Sequence, residues 1–450
     1  MLALQLKPAS LWRNKVRYKW RRMQSKRKLF ESIFFSYIGT LAAVLGPLLT
    51  LPVYFKGLGA SQWGMMSVLL TLIALLMMVD GGLSQVLVRE FSLRARQHGH
   101  KSVPVRLLFA GCRTAYGFLA VTLAIALLMS SASIARHWLN LEANISYGDA
   151  TSLLKMASLL VATQFFIALP RSLLLALDQH RSLNTSIAIA HTFRYGIGAV
   201  VVVLWQSLQY LLLWYAVVAI AEGAVRYGIA WRAVGMQGSS RERVTWSELK
   251  PLTCAGLKMS VAVVMSGLTT QLDKLILMKM VPLDQLGLYA IASSVATGLL
   301  SVGYPVIQAI FPTLLALNED KQRMRKIFSG WLAALAVSGM LGMALYVYLG
   351  YSLLELWLQN REAAGVVYPV LLILLLGTML NMMYQVGYTG WMLDANYRLP
   401  LIVNSLSVAT TLLMTPLLIK EYGVTGAAAG WLAINIIGLL TSLNWFRKII

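Results

Sequence analysis

Twelve apolar stretches recur along the chain with only short polar segments between them, near 33–55, 62–87, 107–130, 152–177, 183–204, 208–233, 256–279, 286–316, 327–350, 366–390, 400–419 and 424–446. Each approaches or exceeds the roughly 20 residues that a helix needs to cross hydrocarbon. In lipid the backbone must satisfy its own hydrogen bonds, which helices do within a single segment. The sequence therefore predicts an all-α polytopic membrane protein. Composition agrees: 58% of residues are hydrophobic and 12% charged, where a soluble protein carries about a quarter charged. The eighth stretch is long enough to tilt, or to kink at Pro305 and Pro312. Tyr54, Trp138, Trp357 and Trp445 fall near expected span ends, where amphipathic rings suit the membrane interface.

The 39 Lys and Arg outweigh the 17 Asp and Glu, a formal charge of +22. Such an excess alone would invite a nucleic-acid partner, so its location decides. The first 28 residues hold ten basic groups, ending in Lys26-Arg27-Lys28. Arg89, Arg94, Arg96, Lys101 and Arg106 follow the second span, and Arg171 and Arg181 the fourth. Around 234–258 stand Arg226, Arg232, Arg241, Arg243, Lys250 and Lys258. Lys321, Arg323, Arg325, Lys326, Arg398, Arg447 and Lys448 complete a set of thirty on one side. The other side has six: Lys56, Arg136, Lys155, Lys279, Arg361 and Lys420. Arg113, Arg194 and Lys274 remain inside spans. This is the positive-inside pattern of an even number of spans with both termini cytoplasmic, and it leaves no excess for nucleic acid.

A long charged segment precedes the first apolar run, so no cleavable signal peptide is expected. Residues 1–28 include Trp12, Tyr18 and Trp20; they suit either an anionic membrane surface or a solvated topogenic tail. Cys112 and Cys254 are far apart, and neither a disulfide nor a metal site is expected of them. Asn144-Ile145-Ser146 matches a glycosylation sequon, a short pattern of little weight.

Two local matches indicate an internal repeat. Ser61-Gln62-Trp63-Gly64 precedes the second span and Asp284-Gln285-Leu286-Gly287 the eighth, 223 positions later. Leu177-Asp178 follows the fourth span and Leu393-Asp394 the tenth, at an offset of 216. A shift of six spans preserves orientation, so the repeats are parallel and related by an axis along the membrane normal, with substrate expected between the halves. The expected organisation is a basic extension (1–28), an N-lobe of six helices (29–234), a cytoplasmic linker (235–251) and a C-lobe of six helices (252–450), enclosing a central cavity.

Polar residues fall on helical stripes: Asn184, His191, Arg194 and Gly198 in the fifth span; Ser266, Thr270 and Asp273 with Lys274 in the seventh; Ser294, Thr297, Ser301, Tyr304 and Gln308 in the eighth; Asn381, Tyr384, Gln385 and Tyr388 in the tenth. Small hydroxyls on such stripes more often bond between helices than bind ligand. An arginine at mid-membrane costs roughly 2.5–3.5 kcal/mol, so Arg194 must face water, a carboxylate or an anion. Arg113 lies two turns into its span and either snorkels to headgroups or joins the cavity. Lys274 either pairs, snorkels or faces the cavity, and His191 is either a packed histidine or a ligand contact. Asp80, Glu222 and Asp273 are candidate ion-pair partners or coupling sites. Guanidinium and ammonium groups together suit a diphosphate, while Tyr, Asn and Gln suit sugar rings. Arg194, Lys274, Arg113, His191, Gln308, Tyr384, Gln385 and Asn381 are the candidate substrate contacts.

Leu51-Pro52-x-Tyr54, Leu58-Gly59, Gly64, Asp80-Gly81-Gly82-Leu83 and Arg89-x-x-Ser92 resemble the N-terminal signature of the Wzx-type polysaccharide flippases, of the multidrug/oligosaccharidyl-lipid/polysaccharide exporter superfamily. Gln271-Leu272-Asp273-Lys274-Leu275, Gly287-x-Tyr289-Ala290 and Phe311-Pro312 resemble its middle signature, and Gly423-Val424-x-Gly426-Ala427-Ala428 the start of its last span. The resemblance covers about residues 30–446. It implies a twelve-span, two-lobed transporter in the bacterial inner membrane that moves an undecaprenyl-diphosphate oligosaccharide to the periplasmic leaflet, with Asp80 and Asp273 matching recurrent family positions. No enzyme activity and no cofactor are expected, and the chain is expected to be a monomer, with other polysaccharide-assembly membrane proteins as its partners. No Gly-rich loop ending in Lys-Ser/Thr supplies nucleotide hydrolysis. Two rivals are a cation/drug antiporter of the same superfamily and a membrane polymerase or glycosyltransferase; the first conflicts with the cationic balance, the second with the lack of a long extramembrane loop.

Overall fold

The computed structural model describes residues 9–141, 145–235, 246–316, 321–394 and 398–449, and their side chains apart from 9–36, 246–248, 262, 302–313, 315–316, 321 and 444–449. The sequon asparagine, the middle of the expected linker and the side chains of the basic extension lie outside the described residues. Among those described, the chain is helical throughout, in the order α1 (Ala9–His98), α2 (Val103–His137), α3 (Tyr147–Ala176), α4 (His180–Thr192), a π turn (Phe193–Ile197), α5 (Gly198–Trp205), α6 (Leu208–Val234), α7 (Trp246–Leu268), α8 (Leu272–Met280), α9 (Leu283–Ala316), α10 (Lys321–Leu358), α11 (Arg361–Leu393), α12 (Arg398–Tyr422) and α13 (Val424–Ile449).

Eleven of the described helical segments are long and apolar enough to cross a membrane, and the first, Tyr37–His98, has 62 residues. At 1.5 Å per residue a straight helix of that length would measure about 93 Å, three times the hydrocarbon core. It is not straight. Gly59 has φ 77° and ψ 169°, outside helical space. Ala43 and Ala74, Pro47 and Leu70, Leu51 and Met66, Tyr54 and Trp63 are each centred midway between residues 58 and 59, and all line one cavity. α1 is therefore a hairpin of two limbs, and the chain makes the twelve passes expected.

Two passes depart from the expected continuous helices. The fifth consists of α4 and α5 joined by the π turn, and the seventh of α7 and α8 separated by a break at 269–271. Thr269 and Thr270 donate to the carbonyls of Ser266 and Gly267 at 2.6 and 2.7 Å. These local side-chain bonds offer the backbone an alternative to the helical ladder.

The repeat is visible at the lobe junction. A Cβ on Gly64 would lie 1.7 Å from the carbonyl oxygen of Leu283, and one on Gly287 would lie 2.6 Å from that of Ala60. Residues 60 and 283, like 64 and 287, are separated by the 223-residue offset read from the sequence. The contact is thus reciprocal, as a twofold relation between parallel repeats requires. Further along the second limb of α1, the Ser260 hydroxyl on α7 donates to the Val79 carbonyl at 2.6 Å. A Cβ on Gly82 would meet the Ser260 backbone nitrogen at 2.1 Å.

Outward faces are apolar, as lipid demands. Phe118 and Met129 on α2 are 75% and 80% exposed, and the most apolar window of α10 has none of its residues buried. α10 is held to α11 by stacked Tyr346 and Tyr368, each hydroxyl donating to a carbonyl on the opposite helix. Tyr54, expected at the interface, is instead 1% exposed: its ring packs beside Trp63 at the hairpin end.

The Gly64 contact leaves no room for even a methyl group. Gly64→Ala is expected to separate Ala60 from Leu283, or to lower stability by about 1–3 kcal/mol if the strain is absorbed in place. Distance measurements between labels at Ser61 and Asp284, with a thermal unfolding curve in detergent, check both outcomes.

Candidate functional site

Among the described residues, three cavities gather polar side chains of the spans, and their linings differ in chemistry. The first, about 370 Å³, is enclosed by α1, α3, α4 and α6 within the N-lobe. Glu222 and Arg226 stand one turn apart on α6, and Arg194 reaches them from the π turn. The Arg194 guanidinium lies 2.8 Å from Glu222 Oε2, and Arg226 donates to Glu222 Oε1. Glu222 and Arg226 are buried, at 5% and 4% exposure, and Arg194 is largely covered at 12%. One carboxylate thus holds two arginines and leaves a positive charge uncompensated within the triad. Arg226 Nε also donates to Ser186 at 3.2 Å, and Arg194 sits over the Tyr215 ring at 5.9 Å. Arg171, His191, Asn184 and Asp80 complete the polar wall. Among the described residues, buried Arg194 Nε and His191 Nδ1 have no hydrogen-bond partner.

The π turn makes this placement. A wide turn inserts one residue's rotation into a helix, re-aiming the side chains that follow and weakening local carbonyl bonds. Here the carbonyls of Phe193 and Tyr195 accept from Trp214 Nε1 at 3.1 Å and from the Tyr54 hydroxyl at 3.0 Å. The buried position of Tyr54 is explained by that bond. Asp80, on the second limb of α1, accepts from Tyr116 at 2.7 Å and from Ser84 at 2.9 Å. No described cation is within ion-pair distance of it, so it is braced by hydroxyls.

The central cavity, about 350 Å³, lies between the lobes. Its walls are both limbs of α1, the aromatic rings of Tyr195 and Tyr215, the start of α8 and one face of α9. Lys274 faces it, with Nζ 3.4 Å from the Thr270 carbonyl and 3.5 Å from Gln271 Oε1. Its neighbour Asp273 points elsewhere, is 8% exposed and accepts from the Tyr289 hydroxyl. The two adjacent charges therefore do not pair. Ser294, Thr297 and Ser301, the stripe read from the eighth span, line the central cavity.

A third cavity, about 240 Å³, lies within the C-lobe. Asn381, Tyr384, Gln385 and Tyr388 of α11 line it together with Asn404 of α12 and Trp431 and Asn435 of α13. Asn381 donates to Asn435 at 2.6 Å, and Asn435 to the Trp431 carbonyl at 2.7 Å.

The candidate residues thus divide. Arg194, His191, Asp80 and Glu222 share the N-lobe cavity, Lys274 faces the centre, and Asn381, Tyr384 and Gln385 share the C-lobe cavity. Arg113 is exposed on α2 and lines none of these three cavities. The side chains of Gln308 and Tyr304 lie outside the described residues. Arg226 and Arg171, counted as topogenic, belong to the N-lobe cavity. For Arg226 the signal was available: it follows Glu222 by four residues inside an apolar span. Asn404, Trp431 and Asn435 were missed because single polar residues on two further spans form no stripe.

The architecture is that of known lipid and drug transporters. The fold is similar to an inward-closed structure of the lipid II flippase MurJ, at 13% identity and a TM-score of 0.67, over 94% of this chain and 87% of that one. An inward-facing multidrug resistance MATE family transporter of the MOP superfamily gives 14% identity and a TM-score of 0.66, over 93% and 97%. A MOP superfamily transporter from Pyrococcus furiosus gives 15% and 0.60, over 94% and 95%. No curated protein matches the sequence significantly. These likenesses define a MurJ- and MATE-like transporter fold in a multi-pass membrane protein. Within it, residues 58–361 match the polysaccharide biosynthesis protein family, and the chain belongs to that family.

Removing one member of a buried ion pair costs about 3–5 kcal/mol, because the remaining charge is left uncompensated. Glu222→Gln is expected to lose that much, by stranding two arginines. The double variant Glu222→Gln/Arg194→Gln, with one stranded cation fewer, should recover at least about 1 kcal/mol of it. Denaturation of the purified protein in detergent measures both.

Proposed function

We propose that the chain is a flippase of the bacterial inner membrane. It would carry an undecaprenyl-diphosphate-linked oligosaccharide, such as an O-antigen, capsule or exopolysaccharide repeat unit, from the cytoplasmic to the periplasmic leaflet by alternating access. The single observation that carries this reading is the cationic triad of Arg194, Glu222 and Arg226 in the N-lobe cavity, which shares Ala43 with the central cavity between the lobes. A net positive charge deep in a bilayer protein is expensive and is retained where an anion is handled. Arginine binds phosphate oxygens bidentately, and Lys274 adds a point charge from the centre. Family membership supplies the link to polysaccharide assembly.

A sugar headgroup cannot cross hydrocarbon unaided, since each stripped hydroxyl costs several kcal/mol without a replacement hydrogen bond. In this reading the polar cavity walls supply those replacements while the polyprenyl tail stays in lipid. The N-lobe (29–234) and C-lobe (252–450), joined by the linker 235–251, rock about the centre. The contact of Gly64 with Leu283 and of Gly287 with Ala60 closes the periplasmic side and parts when the substrate leaves. Glu222 serves the arginines as a resting counter-ion that the diphosphate displaces, and Asp80 and Asp273 brace the lobes through Tyr116 and Tyr289. The chain transports and does not catalyse. The same cationic balance disfavours a carrier for cationic drugs, for which an excess of unpaired carboxylates would be needed.

Arg194→Gln is expected to abolish flipping of the lipid-linked substrate in proteoliposomes and polysaccharide export in cells, with membrane insertion unchanged. Undiminished export by this variant would remove Arg194 from the mechanism. Resistance to cationic drugs conferred on a sensitive strain would favour the antiporter instead.

A further inference from the structure

The C-lobe cavity differs from the other two in carrying no charge. Among its described lining residues there is no Asp, Glu, Lys, Arg or His. Instead it presents four carboxamides, from Asn381, Gln385, Asn404 and Asn435, beside the rings of Tyr384, Tyr388 and Trp431. A carboxamide offers donors and an acceptor on one side chain, which is what vicinal sugar hydroxyls require. Aromatic faces suit the apolar C–H face of a pyranose. Such a lining has nothing to neutralise a phosphate, a drug cation or a metal ion.

We propose that this cavity is a subsite for the uncharged sugar portion of the lipid-linked headgroup, leaving the diphosphate to the cations of the N-lobe and centre. The assignment rests on the flippase reading above. Two further observations support it. The acceptor Asn381 Oδ1 and the donor Trp431 Nε1 are buried without a hydrogen-bond partner among the described residues, a costly state that a polyhydroxylated ligand relieves. The C-lobe also has no counterpart of the cationic triad: the 216-residue offset puts Thr410, Gly438 and Ser442, none of which lines the cavity, where the N-lobe has Arg194, Glu222 and Arg226. The central cavity neighbours both of the others: Ala43 lines it and the N-lobe cavity, while Thr270 and Leu300 of the C-lobe cavity are the chain neighbours of Gln271 and Ser301 of the centre. In this assignment a headgroup held by its phosphates on the N-lobe side directs its sugars across the centre toward the amides.

The test uses the full chain in lipid nanodiscs and two probes, undecaprenyl diphosphate and the same lipid carrying a single N-acetylglucosamine. Wild-type protein is expected to bind the glycosylated lipid at least tenfold more tightly. Asn404→Leu and Tyr388→Leu, which remove a carboxamide and an aromatic face, should each lose that preference while binding the bare lipid as wild type does. Unchanged bare-lipid binding shows that these variants are folded. Arg194→Gln should weaken both probes alike. Equal binding of the two probes by wild type, or a preference retained in both C-lobe variants, overturns the sugar subsite and leaves the flippase reading standing. Failure of wild type to bind either lipid overturns the flippase reading itself.

Discussion

Hydrocarbon accepts no unpaired charge or unbonded peptide group at tolerable cost, and this constraint organises the molecule. Lipid-facing surfaces such as those of α2 and α10 are consequently apolar over most of their length, and most polar side chains of the spans turn inward, with Arg113 on α2 an exception. Where charge does enter, it enters as a set: Arg194 and Arg226 are held by one buried carboxylate rather than left alone. The wide turn at Phe193–Ile197 obeys the same rule, because the carbonyls it weakens are taken up by Trp214 and Tyr54. Irregular backbone is tolerated there because its freed carbonyls find donors within the protein.

Symmetry and chemistry part company between the lobes. The backbone relation is close enough that Gly64 touches Leu283 and Gly287 touches Ala60 across one junction. Side chains at related positions have diverged completely, from a cationic triad on one side to threonine, glycine and serine on the other. A duplicated bundle keeps the packing that lets two halves meet and frees each interior to take on a chemistry of its own. The break at 269–271 and the π turn, one in each lobe, place Lys274 toward the space between the lobes and Arg194 toward the N-lobe cavity.

Much of this was legible in the sequence. Hydrophobic length gave the twelve passes, and two short matches gave a repeat offset that the backbone contact reproduces to the residue. The cost of an isolated cation implied that Arg194 faces water, a carboxylate or an anion, with Glu222 and Asp80 as candidate partners, and the structure pairs it with Glu222. What escaped had no local signal or a misleading one. The π turn depends on tertiary partners for its carbonyls, so nothing in residues 193–197 announces it. Tyr54 near a span end has the pattern of an interfacial ring and the role of a core hydrogen-bond donor. Arg226 was absorbed into a count of topogenic charges, because positive-inside bookkeeping does not distinguish a headgroup contact from a buried guanidinium near the same end. The C-lobe carboxamides come from three helices and converge only in three dimensions.

The junction at Gly64 and Gly287 brings main chain against main chain, with no side chain interposed. Around it Trp63, Leu283 and Leu286 are buried, so the seam is apolar as well as close. Its fit is set by backbone shape rather than by rotamers, and a bulkier residue at either glycine has no neighbouring side chain that could turn aside to admit it.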